Sequence, residues 1–293
     1  METLESLSEA LGTTKDIQSI VRTMKSLSAV SIRQYERAEE ALAGYSRTID
    51  LGLSAVLGQG RSLGTAFPAP GRDGTGRDAL IVIGSDRGLC GRYNDVVSRR
   101  AIEDLGAAEA VLGIIGVRAA ARIEAAGHVA DTLFTVPGSV DGFTGIVQSV
   151  IITIDRWTAE QDVSRVRVVH NRRVGQNTAQ PVVHQLLPIP KDDLERATTT
   201  RWPARGLPFF RMDRDVLLSW LIRERLFVLL YRALAEALAS EHATRLAAMQ
   251  NAERNIKDRR DDLAAAFRQK RQENITRELL DVVAGYEAAR PVE

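Results

Sequence analysis

The residue types best suited to chemistry in this 293-residue chain crowd into one stretch, GSDRGLCG, residues 84–91. It sets an acid beside a base, Asp86 and Arg87, and adds the chain's one cysteine, Cys90, and three glycines, Gly84, Gly88 and Gly91. The stretch follows an apolar run and precedes a helical pattern, the usual place of a phosphate-binding loop. It is neither G-x-G-x-x-G nor a loop ending in GK[ST], so its glycines are read as serving a tight turn. Cys90 has two readings: a small packed residue, or a thiol activated by the positive end of the following helix. His128, His170, His184 and His242 lie far apart and form no H-E-x-x-H motif. No nucleophile stands beside a base, and a single cysteine allows neither an internal disulfide nor a cysteine-based zinc cluster. No catalytic, cofactor or metal constellation stands out from these residues.

The elements around that loop are read from periodicity. ALIVIG (79–84) and AVLGIIG (110–116) are short apolar runs bounded by glycine, as buried parallel strands are. VADTLFTV (129–136) and SRVRVVHN (164–171) are two more, and QPVVHQLLPI (180–189), flanked by prolines, reads as an edge strand. Helical patterns at 92–106, 117–126 and 142–160 lie between the first four. Alternating strands and helices predict a Rossmann-like α/β domain over 79–190, a doubly wound and mostly parallel sheet with helices on both faces. Residues 58–78, with six glycines and two prolines, read as a linker, and 191–212 as an irregular one.

Glycine and proline punctuate the chain unevenly. Of 22 glycines, 21 lie at or before Gly206, and no proline falls between Pro208 and Pro291. Residues 213–286 therefore predict one long helix, with Asp213 or Asp215 as its cap and 287–293 as a tail. A helix of that length spans about 110 Å, more than a compact globule of this size is wide. Residues 1–57 predict a second helix. Steps of four and three from Ile17 pass Val21, Met24, Ser28, Ser31, Tyr35, Ala38, Leu42, Tyr45, Ile49, Gly52 and Val56. The same stepping from Leu217 to Lys270 meets eleven apolar residues in sixteen positions. Each seam would be wet alone, so the two terminal helices are expected to pair as an antiparallel coiled coil bracketing the α/β domain.

Charge and hydropathy narrow the function classes. Thirty-nine basic and 38 acidic residues leave a net charge of +1, no global reason to bind nucleic acid. No apolar run approaches 18 residues, and METLESLSEALG lacks the order of a secretion signal. Residues 253–278 carry eight basic and six acidic side chains. They read either as a solvated helix face or as a helix that meets surrounding protein on several sides. On the residues alone, a free-standing α/β enzyme or ligand-binding domain with a coiled-coil dimerisation arm is also open, as is a coiled-coil scaffold.

Three separated segments resemble the gamma subunit, the central stalk, of rotary F-type ATP synthases. IQSIVRTMKSLSAVSIR (17–33) is similar to the family's amino-terminal pattern at Ile20, Arg22, Met24, Lys25, Ala29 and Arg33. SDRGLCGRYN (85–94) is close to its loop motif, which places Asp86, Arg87, Gly88, Cys90 and Gly91 in it. ASEHATRLAAMQNA (239–252) and RQENITRELLDVVAGYEA (271–288) resemble its carboxy-terminal helix. The resemblance implies a non-catalytic rotor that couples proton or sodium flow to ATP synthesis or hydrolysis. It implies partners in the alpha and beta subunits, epsilon and the c-ring, and a peripheral place on the cytoplasmic side of a bacterial inner membrane. It also implies coupling contacts at Met24, Arg245, Gln272, Thr276 and Glu278. Ser26, Ser31 and Arg92 depart from the family pattern, which suggests a divergent, sodium-linked branch.

Overall fold

A computed structural model describes residues 3–57, 76–106, 110–175, 178–199, 202, 206 and 208–288. Most of the 58–78 linker and the end of the tail therefore lie outside the described residues. The elements are α1 (Leu4–Leu57), β1 (Arg77–Ile83), α2 (Tyr93–Leu105), β2 (Ala110–Ile115), α3 (Val117–Ala125) and β3 (Thr132–Phe134). After them come α4 (Phe143–Glu160), β4 (Val163–Val174), β5 (Thr178–Leu187), α5 (Lys191–Thr199) and α6 (Arg214–Ala288). They divide into two compact units, Ser28–Arg245 and Met1–Leu27 with Leu246–Glu293.

In the larger unit the sheet order is β3-β2-β1-β4-β5, parallel except for β5, which pairs antiparallel with β4 at the edge. Alternation splits the strands between two cores. Leu80, Val82, Leu112, Ile114 and Val169 meet Val97, Ala101 and Leu105 of α2 and Ala119 and Ile123 of α3. Ala79, Ile81, Ile83, Val111, Ile115, Val166 and Val168 face the opposite way, onto α4 and this unit's parts of α1 and α6. Trp157 of α4 is fully buried there, and a Cβ on Gly113 of β2 would lie 2.8 Å from its ring. The strand glycine makes room for the largest side chain of the core. Within the unit no side chain of α6 from Glu224 to Arg245 is exposed. The alanines of ALAEALAS let that helix sit close to the sheet and to α1.

The smaller unit pairs the beginning of α1 with the end of α6. Leu7, Val21, Met249 and Leu263 are buried, Lys25 meets Glu253 at 2.5 Å, and Arg260 donates to Gln18 at 3.3 Å. These pairings run antiparallel, as the seams required.

Three expectations differ from the structure. The seam holds at Val21, Ser28, Tyr35, Ala38, Ile49 and Val56, but Ile17 is 46% and Tyr45 43% exposed. The third strand shrinks to Thr132–Phe134, because it is an edge that pairs only with Gly113–Ile115. The stretch read as irregular contains α5. Pro190 precedes it, Asp192 and Asp193 occupy its first turn, and the Asp193 and Leu194 amides donate to the Pro190 carbonyl. Proline before a helix and acids at its positive end are start signals. Asp213 caps α6, its Oδ1 accepting from the amides of Asp215 at 2.9 Å and Val216 at 3.2 Å. No helix of the described residues is long and apolar enough to cross a membrane.

Candidate functional site

The loop after β1 lies where the strand order reverses, at the carboxyl end of the sheet, the usual ligand position in a doubly wound fold. Here its polar groups are already engaged. The Gly84 amide donates to the Ile115 carbonyl at 2.8 Å, and the Ser85 amide to Asn94 Oδ1 at 3.0 Å. Asn94 returns its Nδ2 to Ser85 Oγ at 2.8 Å. Asp86 is a clamp: Oδ1 accepts from the Val117 amide at 2.9 Å and Oδ2 from the Val136 amide at 2.8 Å. One carboxylate thereby ties the loop to the start of α3 and to the chain leaving β3, with charge-assisted bonds at a helix amino terminus.

α6 closes the loop from the other side. Arg245 donates to the carbonyls of Arg87 and Gly88 at 3.3–3.4 Å and pairs with Glu241 one turn earlier on the same helix. Both side chains are buried, at 5% and 6% exposure. Carbonyls presented inward suit a guanidinium and repel a phosphate. Burial pushes the Glu241 carboxyl above its ordinary value, and Arg245 pulls it only part of the way back. His242 falls to about 4, through burial first and then the Arg245 and Arg87 charges. Tyr93 adds a further tie, its hydroxyl donating to the Ala237 carbonyl at 2.9 Å.

Cys90 sits inside this knot at 2% exposure, near Ser85 Oγ and Asn94 Nδ2, and burial raises its thiol pKa. The packed reading holds and the activated one does not. A maleimide should modify Cys90 at least about a hundredfold more slowly in the native chain than in urea. Equal rates would overturn the packed assignment.

The site thus gathers Asp86, Arg87, Gly88, Cys90, Gly91 and Arg245. Arg87 itself points to solvent, and Gly91 takes φ +58°, which favours glycine. Met24, Gln272, Thr276 and Glu278 belong to the smaller unit. Met24 is half-buried and the other three are exposed, with Thr276 bonding back to the Gln272 carbonyl at 2.9 Å. Sequence reasoning missed Asn94 and Glu241 as members of the loop's support. Asn94 ends the SDRGLCGRYN stretch, and Glu241 stands four residues before Arg245, a spacing that gives helical ion pairs.

A family model described as ATP synthase matches residues 3–289. An ATP synthase gamma chain of Granulibacter bethesdensis is 30% identical, covering 98% of this chain and all of that one. One of Rubrobacter xylanophilus is 29% identical, over 98% of this chain and 99% of its own. Among solved structures, a chain of the Euglena gracilis mitochondrial ATP synthase rotor superposes with a TM-score of 0.62 at 17% identity, over 93% of this chain and 98% of that one. A chain of the same enzyme's OSCP/F1/c-ring assembly gives 0.63 at 17% identity, over 99% and 97%. A free-standing enzyme domain is not favoured by relatives that match from end to end.

Proposed function

Since the chain belongs to the ATP synthase gamma chain family, we infer that it is the non-catalytic central stalk of a rotary ATP synthase or ATPase. The end-to-end family match carries this reading. The exposed end of α6 supports it. Ile275, Leu279, Leu280, Val282 and Val283 are all at least 43% exposed, so this end of the helix presents apolar side chains as well as charges to its surroundings. Such a surface suits enclosure by a ring of alternating alpha and beta subunits. An asymmetric shaft in a threefold ring contacts each catalytic site differently. Each orientation then favours a different open or closed state at each site, which is how rotation changes nucleotide affinity in turn.

The complex is membrane-associated, and we place this subunit on the cytoplasmic side of a bacterial inner membrane, meeting epsilon and the c-ring. Met24, Gln272, Thr276 and Glu278 are assigned to contacts with the ring. Arg245 is assigned an indirect part, because it is buried against its own loop: it holds residues 87–88 on α6.

The test is a complex assembled with a chain ending at Asn274. The full chain should co-purify with an alpha/beta hexamer. The shortened one should lose at least about tenfold in ATP-driven ion transport relative to ATP hydrolysis. Full coupling by the shortened chain, or failure of the full chain to join the hexamer, would refute the assignment.

A further inference from the structure

The larger unit brings together two histidines and a glutamate that the sequence keeps far apart. His170 on β4 lies opposite Val182, and His184 on β5 lies opposite Val168. The two histidines are therefore diagonal neighbours on one sheet face, and their rings stand 5.5 Å apart. Their parity is that of Val166, Val168 and Leu186, so they project onto the side covered by α6. Glu236 of α6 meets them there, its Oε2 2.7 Å from His170 Nε2. One ligand atom from each of the three lies within 4.8 Å of the others. Ligands of tetrahedral zinc, bound at about 2.0–2.2 Å, stand about 3.3–3.6 Å apart. The widest separation in the cluster exceeds that spacing by at most about 1.5 Å.

His170 is 1% exposed and its Nε2 is held against Glu236, so two of the three groups are fixed inside the fold. His184 lines a cleft of about 520 Å³ that also touches Arg225, Arg232 and Asp50. The cleft gives an ion a route in and leaves a coordination position open to water.

We propose that His170, His184 and Glu236 form a binding site for one divalent transition cation of the zinc class. Two imidazoles and one carboxylate suit zinc, cobalt or nickel, whereas magnesium and calcium prefer all-oxygen sites. Two strands and a helix supply the ligands, so the cation would pin the sheet's antiparallel edge to α6. Arg172 and Arg232 also face the cluster and weaken it for a cation, while Glu39 faces Glu236 and offsets part of that charge. Affinity in the micromolar range is the expectation.

The probe is Zn²⁺ titrated into the full chain in competition with a chromophoric chelator. Co²⁺ serves in parallel for its visible ligand-field band. One equivalent should bind, with the intense band of four-coordinate cobalt, and Mg²⁺ should not displace it. His184→Ala and Glu236→Gln should each weaken binding at least about tenfold. Cys90→Ser and His128→Gln should leave it unchanged. His184 is exposed, so its variant keeps the fold, which circular dichroism checks. Absence of saturable one-equivalent binding, or affinity unchanged from the parent chain in both ligand variants, overturns the site.

Discussion

Glu241→Ala is expected to lower the unfolding free energy of the chain by about 3–5 kcal/mol at pH 7, read as a fall in the urea midpoint at unchanged slope. The alanine leaves Arg245 at 5% exposure with a charge it cannot lose. The carbonyls of Arg87 and Gly88, at 3.3–3.4 Å, remain as its acceptors. Arg245→Met should cost less. Methionine fills much of the guanidinium's volume, and Glu241, already raised by burial, can take a proton instead of standing charged. This asymmetry separates a buried charge held by its partner from an ordinary surface pair, for which both variants would cost under about 1 kcal/mol.

The same turn carries two opposed pH dependences. The folded pKa of Glu241 is raised, so its contribution to stability is full below about pH 4.5 and is lost as pH rises through the folded value. The folded pKa of His242 is lowered to about 4, so its contribution is present above about 6.5 and is lost as pH falls toward 4. Glu241→Gln should remove the first slope and keep the second.

How much of this was legible depended on whether a residue's neighbours lie near it in sequence. The strands were legible because ALIVIG and AVLGIIG are buried on both faces, as their continuous apolar letters require. β3 was read too long because Val129 and Val136 extend the apolar run, yet Val129 is 80% exposed and the Val136 amide is taken by Asp86. α5 was missed because KDDLERATT has little apolar periodicity; its start signals, Pro190 and the two aspartates, were there to be read. The loop motif was visible, but its closure was not. Glu241 and Arg245 look like any exposed helical pair until Gly88, 157 residues earlier in the chain, is placed against them. The same distance hid the cluster of His170, His184 and Glu236, whose members rest on three elements and share no spacing rule.

Gly116→Ala is expected to cost about 3 kcal/mol or more, the larger part through backbone that cannot yield. Gly116 joins β2 to α3 at φ +109°. A Cβ there would lie 2.7 Å from the Ser85 nitrogen and 2.9 Å from the Gly84 carbonyl carbon. Relief means moving residues 84–85, whose amides are held by Ile115 and Asn94. The proper control is Gly127→Ala. Gly127 takes φ +90°, yet nothing lies within 4 Å of the added atom. It should cost about 1 kcal/mol, the conformational strain alone. The difference between the two, measured by urea unfolding, isolates the contact between β2's end and the loop. A second readout follows from the geometry. Displacing Ser85 loosens the Asn94 bridge and the shell around Cys90, so the maleimide rate at Cys90 should rise in Gly116→Ala and stay slow in Gly127→Ala. Equal stability losses to within about 0.5 kcal/mol would show that the loop gives way freely. In that case neither the glycine nor the Asp86 clamp beside it could be what keeps the loop closed under Arg245.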